Sequence, residues 1–173
     1  MRTQCVALLL SLLIPCAALQ AKENLYFHGS LVAEPCMLEP DDAEIELDFG
    51  NVVDKYLYLN QRTAGKAFAI RLTQCDTKLG NQVEITLKGA ESGPLPGLLQ
   101  LAGGSLAKGV VIGLESVEGK PLQINRAYRH ELHDGSNIFS LMGYVQAEPD
   151  ALKNHTITLG SFSAALTLMI DYP

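Results

Sequence analysis

The sequence predicts an all-β domain built as an antiparallel sandwich. Three observations carry that reading. Short runs of alternating apolar and polar residues recur at near-regular spacing through the 173-residue chain. Gly, Pro, Asn and Asp cluster between the runs, as in SGPLPG, AGG, EGKP, HDGSN and EPD. Only one short stretch, PDALKN (149–154), reads as helix. The length suits one domain, with no internal repeat and no low-complexity linker.

The chain opens like a secretory signal. Arg2 supplies the positive start, residues 6–19 form a short apolar run, and a small-residue cleavage site ends at Ala21. The run is too short to cross a bilayer comfortably. Residues 1–21 are therefore set aside as a signal peptide. Cys16 follows LIP, a weak lipidation pattern that Pro15 disfavours. Residues 22–35 follow as an N-terminal extension, and a domain spanning 36–173 begins at Cys36.

The extension has an alternation of its own. Leu25, Phe27, Gly29, Leu31 and Ala33 fall on one face of an extended chain. An exposed arm has no reason to carry large apolar side chains in register. Leu25, Phe27 and Leu31 would each contribute roughly 1.5–3 kcal/mol if buried. Left in water they invite aggregation. Such an arm either packs on its own domain or is kept for another chain.

Within the domain, EIELDFG places Ile45, Leu47 and Phe49 on one face. KAFAIRLTQC does the same with Phe68, Ile70 and Leu72, and QVEITLKG with Val83, Ile85 and Leu87. GVVIGLESV carries Val110, Ile112 and Leu114. NIFSLMGYVQA is apolar on both faces, as a strand covered on both sides would be. The last segment, GSFSAALTLMIDYP, starts at Gly160 and aligns Phe162, Ala164, Leu166, Leu168, Ile170 and Tyr172. It is expected to form one long strand with a strongly apolar face and no strand after it.

Charge and cysteine content narrow the function classes. Without Arg2 the exported chain holds 12 basic and 19 acidic residues, a net charge of −7. An acidic chain without basic runs argues against nucleic-acid and anionic-membrane partners. Cys36 and Cys75 remain after signal removal, and in an exported protein they most simply form one disulfide. Closing that loop would stabilise the fold by about 4 kcal/mol. A zinc site on the two cysteines lacks close partners at ligand spacing.

Other chemistry is sparse. HELHD (130–134) brings two histidines three apart, without the spacing of a zinc protease. GSFS lacks the second glycine of a nucleophile elbow. No glycine-rich phosphate loop links a strand to a helix, and no cofactor is implied. Asn154 heads a formal glycosylation sequon, and LPG at 95–97 lacks the rest of a sorting signal. The expectation is a protein that is not an enzyme.

The ordered combination of features resembles the pilin subunits of Gram-negative chaperone–usher fimbriae. It comprises the alternating arm with FHGSLV, Cys36 soon after, LDFG ahead of Cys75, Gly160 fourteenth from the end and Tyr172 next to last. AFAIRLTQC, ITLKGAESGPLPG and GYVQAEPDAL are similar to the adaptor-type minor subunits of P pili. The resemblance implies an incomplete immunoglobulin-like sandwich of six strands whose seventh is supplied in trans. A groove would then run beside the segment bearing Gly160, Phe162, Ala164, Leu166, Leu168, Ile170 and Tyr172. A periplasmic chaperone would fill it first, with Tyr172 and the end of the strand at the contact. The arm of a neighbouring subunit would replace the chaperone at the outer-membrane usher. The expected route runs through the periplasm to a surface fimbrium that supports cell adhesion.

Under this reading Leu25, Phe27, Leu31 and Ala33 complete another subunit's core. Gly29 lets the arm pass where the groove narrows. Pro173 departs from the family, since a polar residue is usual there. Two other readings stay open: a self-sufficient secreted β-sandwich that binds carbohydrate, and a terminator subunit whose groove takes no arm. The absence of Trp argues mildly against a sugar-stacking site.

Overall fold

A computed structural model describes residues 25–173. The expected signal peptide and residues 22–24 lie outside the described residues. Two compact units divide the chain, one ending at Val32 and the other spanning Ala33–Pro173.

The second unit is a two-sheet antiparallel sandwich. Its strands are β1 (Met37–Leu38), β2 (Lys66–Cys75), β3 (Gln82–Lys88), β4 (Val110–Ser116), β5 (Pro121–Leu122), β6 (Ala127–Glu131), β7 (Gly135–Ala147) and β8 (Thr167–Asp171). One sheet runs β1-β2-β7-β4-β5 and the other β6-β3-β8. The β2–β7 register runs from Lys66 opposite Gly143 to Leu72 opposite Asn137, then shifts before Cys75. Gln74 adopts a positive φ of 52° inside that shift, which fits a bulge closing the strand.

The period-two patterns become core faces. Ile70, Leu72, Val83 and Ile85 are buried in a cluster with Cys36 and Cys75. Val110, Ile112, Leu114 and Val145 are buried in a second cluster with Leu57 and Leu99. The doubly apolar β7 is covered fully only in its later half, where Gly143, Tyr144 and Val145 are buried. Ile138, in the earlier half, stays exposed.

Two α-helices and a 3-10 turn (Pro40–Asp42) accompany the sheets. Helix α2 (Pro149–Asn154) forms where PDALKN predicts it. Pro149 suits the first helical turn, and His155 ends the helix in a left-handed conformation. Helix α1 (Asp54–Asn60) was not expected. Its sequence, DKYLYLN, buries only Leu57 and shows no clear apolar stripe.

Beyond α1, Arg62 makes paired hydrogen bonds to Glu115 at 2.8 and 3.0 Å. Glu115 is buried on β4, and the guanidinium also lies 4.1 Å from the centre of the Tyr144 ring. The carboxylate and the ring hold Arg62 firmly charged, its pKa raised chiefly by the Glu115 hydrogen bond. Removing the cation would leave a buried carboxylate without its partner. Arg62→Ala should therefore destabilise the domain by about 2–4 kcal/mol, read as a lowered urea midpoint. Arg62→Lys should recover only part of that loss, because an ammonium cannot pair with both oxygens.

Candidate functional site

Two expected strand segments have no ladder neighbour. Residues 44–49 join neither sheet, and nor do residues 161–166 ahead of β8. The long final strand is thus half strand and half unpaired edge. Its alternation survives except at Met169, which is half-buried like its neighbours. Phe162, Ala164, Leu166, Leu168, Ile170 and Tyr172 are all half-buried, and Ser161, Ser163, Ala165, Thr167 and Asp171 are exposed.

The two segments are the rims of one groove of about 1340 Å³. Its lining includes Leu47 and Phe49 from one side and Phe162, Ala164, Leu166 and Leu168 from the other. Ile70, Leu87, Ile112 and Leu114 form its floor. The rims run in opposite directions, since Phe49 faces Phe162 with ring centres 6.3 Å apart. Leu47 lies where a side chain on Gly143 would stand, 2.5 Å from that position, so the glycine of β7 makes room for the rim.

Each rim is tied at its ends and open between them. Asp42, buried, accepts hydrogen bonds from the Arg71 backbone N–H at 2.6 Å and from its guanidinium at 2.7 Å. That pins the chain to β2 just before the first rim begins. Lys66 Nζ donates to the Asp48 carbonyl near its far end. Between them Glu44, Ile45, Glu46 and Leu47 have no backbone partner among the described residues.

The other rim bonds on one side only. Ser161 and Ser163 accept from Leu106 N and Ala102 N at 2.9 and 2.8 Å. Strand alternation turns Phe162, Ala164 and Leu166 the opposite way, and their backbone groups have no partner among the described residues. Two facing rows of unpaired N–H and C=O groups above an apolar floor suit one more strand. The volume exceeds the roughly 300–1,000 Å³ of small-molecule pockets.

The groove has two different ends. At the Gly160 end, the glycine has a φ of +152° and a side chain there would stand 2.5 Å from Leu106 Cβ. Only glycine takes that conformation and that space. At the other end Tyr172 packs against the cluster that holds Cys36 and Cys75. Burial, and then the nearby Glu34 carboxylate, push the Tyr172 phenol up from its usual pKa. The root of the N-terminal arm therefore sits at the Tyr172 end. There the Pro35 carbonyl accepts from Asp76 N at 2.8 Å, and Cys36 is disulfide-bonded to Cys75.

Along the arm, Leu25, Phe27 and Leu31 are 67%, 89% and 104% exposed, and Gly29 and Ala33 are exposed as well. The HELHD histidines do not converge. His130 stacks on Phe139 at 4.8 Å, and the Asn137 side chain clasps the His133 backbone N–H and C=O. The Asp42–Arg71 pin and the Asp48–Lys66 tie escaped the sequence reading, which looked for periodicity and for recognised motifs. An Asp ahead of an apolar alternation gives no signal of its partner 29 residues on.

A two-sheet sandwich with an open groove between two unpaired strand edges defines the pilin class of immunoglobulin-like domains. Residues 25–173 match the fimbrial protein family, and the chain belongs to it, among the subunits of chaperone–usher pili. It is similar to an uncharacterized fimbrial-like protein, YfcP, of Escherichia coli K12, at 31% identity over 88% of this chain and 84% of that one. It is also similar to the fimbrial adapter PapK of Escherichia coli, at 28% identity over 84% of this chain and 85% of that one. Among solved structures, the P pilus rod subunit PapA superposes with a TM-score of 0.69 at 21% identity. That match covers 81% of this chain and all of the PapA chain. The fold agrees with the expectation of an immunoglobulin-like sandwich.

Proposed function

We propose that this chain is a minor or adaptor subunit of a chaperone–usher pilus, joined to its neighbours by exchange of a donor strand. The observation that carries the reading is the pair of facing backbone edges, unpaired among the described residues at 44–47 and at Phe162, Ala164 and Leu166. A strand laid between them would gain hydrogen bonds from both, while alternate side chains enter the groove. The similarity to PapK supports the adaptor role. Before assembly the same groove would take a strand of a periplasmic chaperone, released at the outer-membrane usher. The subunit's contribution to adhesion is structural rather than catalytic.

Geometry favours one direction of entry. This chain's own arm is rooted at the Tyr172 end, which leaves the Gly160 end for an incoming subunit. Its arm then runs antiparallel to β8. Five arm positions, from Ala33 back to Leu25, meet five positions from Phe162 to Ile170 over roughly 27 Å. Gly29 falls opposite Leu166, at the middle.

A peptide copying residues 23–35, added to the mature chain, tests the reading. Uptake with a rise in melting temperature is expected, and a Phe27→Asp peptide should not bind. A melting curve indifferent to the native peptide would sink the proposal.

A further inference from the structure

The donor-strand reading leaves open what the rest of an incoming subunit touches, and the short root of the arm answers it. Between Ala33, the last groove-filling position, and Cys36, the first residue of the donor's fold, lie only Glu34 and Pro35. Three residue steps span at most about 11 Å. The root is also not free to swing. Pro35 is buried, its carbonyl is bonded to Asp76 N, and its ring lies 2.8 Å from where a Gly80 side chain would stand. The donor's 76–80 turn is thus fixed beside the point where its arm leaves.

That turn carries an exposed apolar residue. Leu79, whose N–H bonds to the Asp76 carbonyl, is 55% exposed. The acceptor has a matching feature at the end where the arm enters. Leu106, beside the rim's start at Gly160, and Leu159, the residue before it, are 66% and 69% exposed. Neither contributes to the buried core, and both adjoin the groove without lining it.

We propose that Leu106 and Leu159 form a docking face for the arm-exit turn of the adjoining fimbrial subunit, the turn that carries Leu79 in this chain. The inference rests on the donor-strand reading and adds a second contact to it. The tether is too short for the two domains to stay apart, so the surfaces at its two ends must meet. Burying apolar residues there makes the meeting favourable and stiffens the joint. The contact is head-to-tail, so it repeats along a fibre rather than closing a dimer.

The test uses assembled mature chains challenged with excess labelled peptide copying residues 23–35. Size-exclusion chromatography follows subunit release. Leu106→Ser with Leu159→Ser should speed release about tenfold while leaving the free chain's affinity for the peptide unchanged. Leu79→Ser on the donor side should produce a similar effect, and the combined variant should be little worse than either, as coupled partners require. All three side chains are exposed, so folding is not at stake. Equal release from native and variant assemblies would overturn the docking face. Failure of the native free chain to take up peptide would instead overturn the groove reading, and the docking face with it.

Discussion

Mature chain carrying Phe27→Asp and Leu31→Asp is expected to fold normally and to lose assembly. Both side chains are almost wholly in water in the single chain, so their loss removes nothing from its core. In an acceptor groove each would contribute roughly 1.5–3 kcal/mol. Losing both weakens the joint by about 3–6 kcal/mol, or on the order of a hundred- to ten-thousand-fold. Aspartate adds a desolvation cost, because the floor at Ile70, Leu87, Ile112 and Leu114 has no cation to receive it. The measurement is sedimentation of mature chains with the melting curve as control. Unaltered fibres would show that the arm does not fill a groove. A lowered melting temperature would show that it packs on its own domain.

Cys36→Ser with Cys75→Ser should cost about 4 kcal/mol of folding stability, from the entropy of a loop closed across a sequence separation of 39. Domains of this kind hold only about 5–15 kcal/mol in all. A sandwich with two unpaired edges belongs at the low end of that range, so the variant should be largely unfolded near body temperature. Urea titration of both forms gives the difference. Peptide 23–35 should restore part of it, because ligand bound to the folded state alone shifts the equilibrium by mass action. A difference below about 1 kcal/mol would mean that β1 and the Pro35 contacts fix this end without the covalent bond.

Much of the sandwich was legible because most of its strands have one wet face. Val83, Ile85 and Leu87, or Phe162 through Tyr172, announce themselves by alternation, and the fold keeps each set on one side. Pairing was not legible. EIELDFG reads as a strand but joins no ladder, because alternation reports which side faces the core and says nothing about a neighbour at the edge. Helix α1 escaped because DKYLYLN spreads its apolar residues around the axis and buries only Leu57. The groove was inferred from an apolar final segment and an orphan alternation at the other terminus. Its depth and its two unlike ends depend on contacts such as Phe49 with Phe162 and Glu34 with Tyr172. Those residues are more than a hundred positions apart, and no local pattern links them.

The disulfide at the root of the arm also decides where a mechanical load would travel. Tension along residues 25–35 reaches the folded domain at Cys36. Met37 and Leu38, next in the chain, form a two-residue strand on the edge of its sheet, a weak anchorage by itself. The bond to Cys75 carries the pull across to the end of β2, a ten-residue strand laddered along β7. The force then acts on the central strands rather than peeling away the edge. The cross-link thus serves as a strain relief, placed at the one point where a tether would otherwise unravel what it holds.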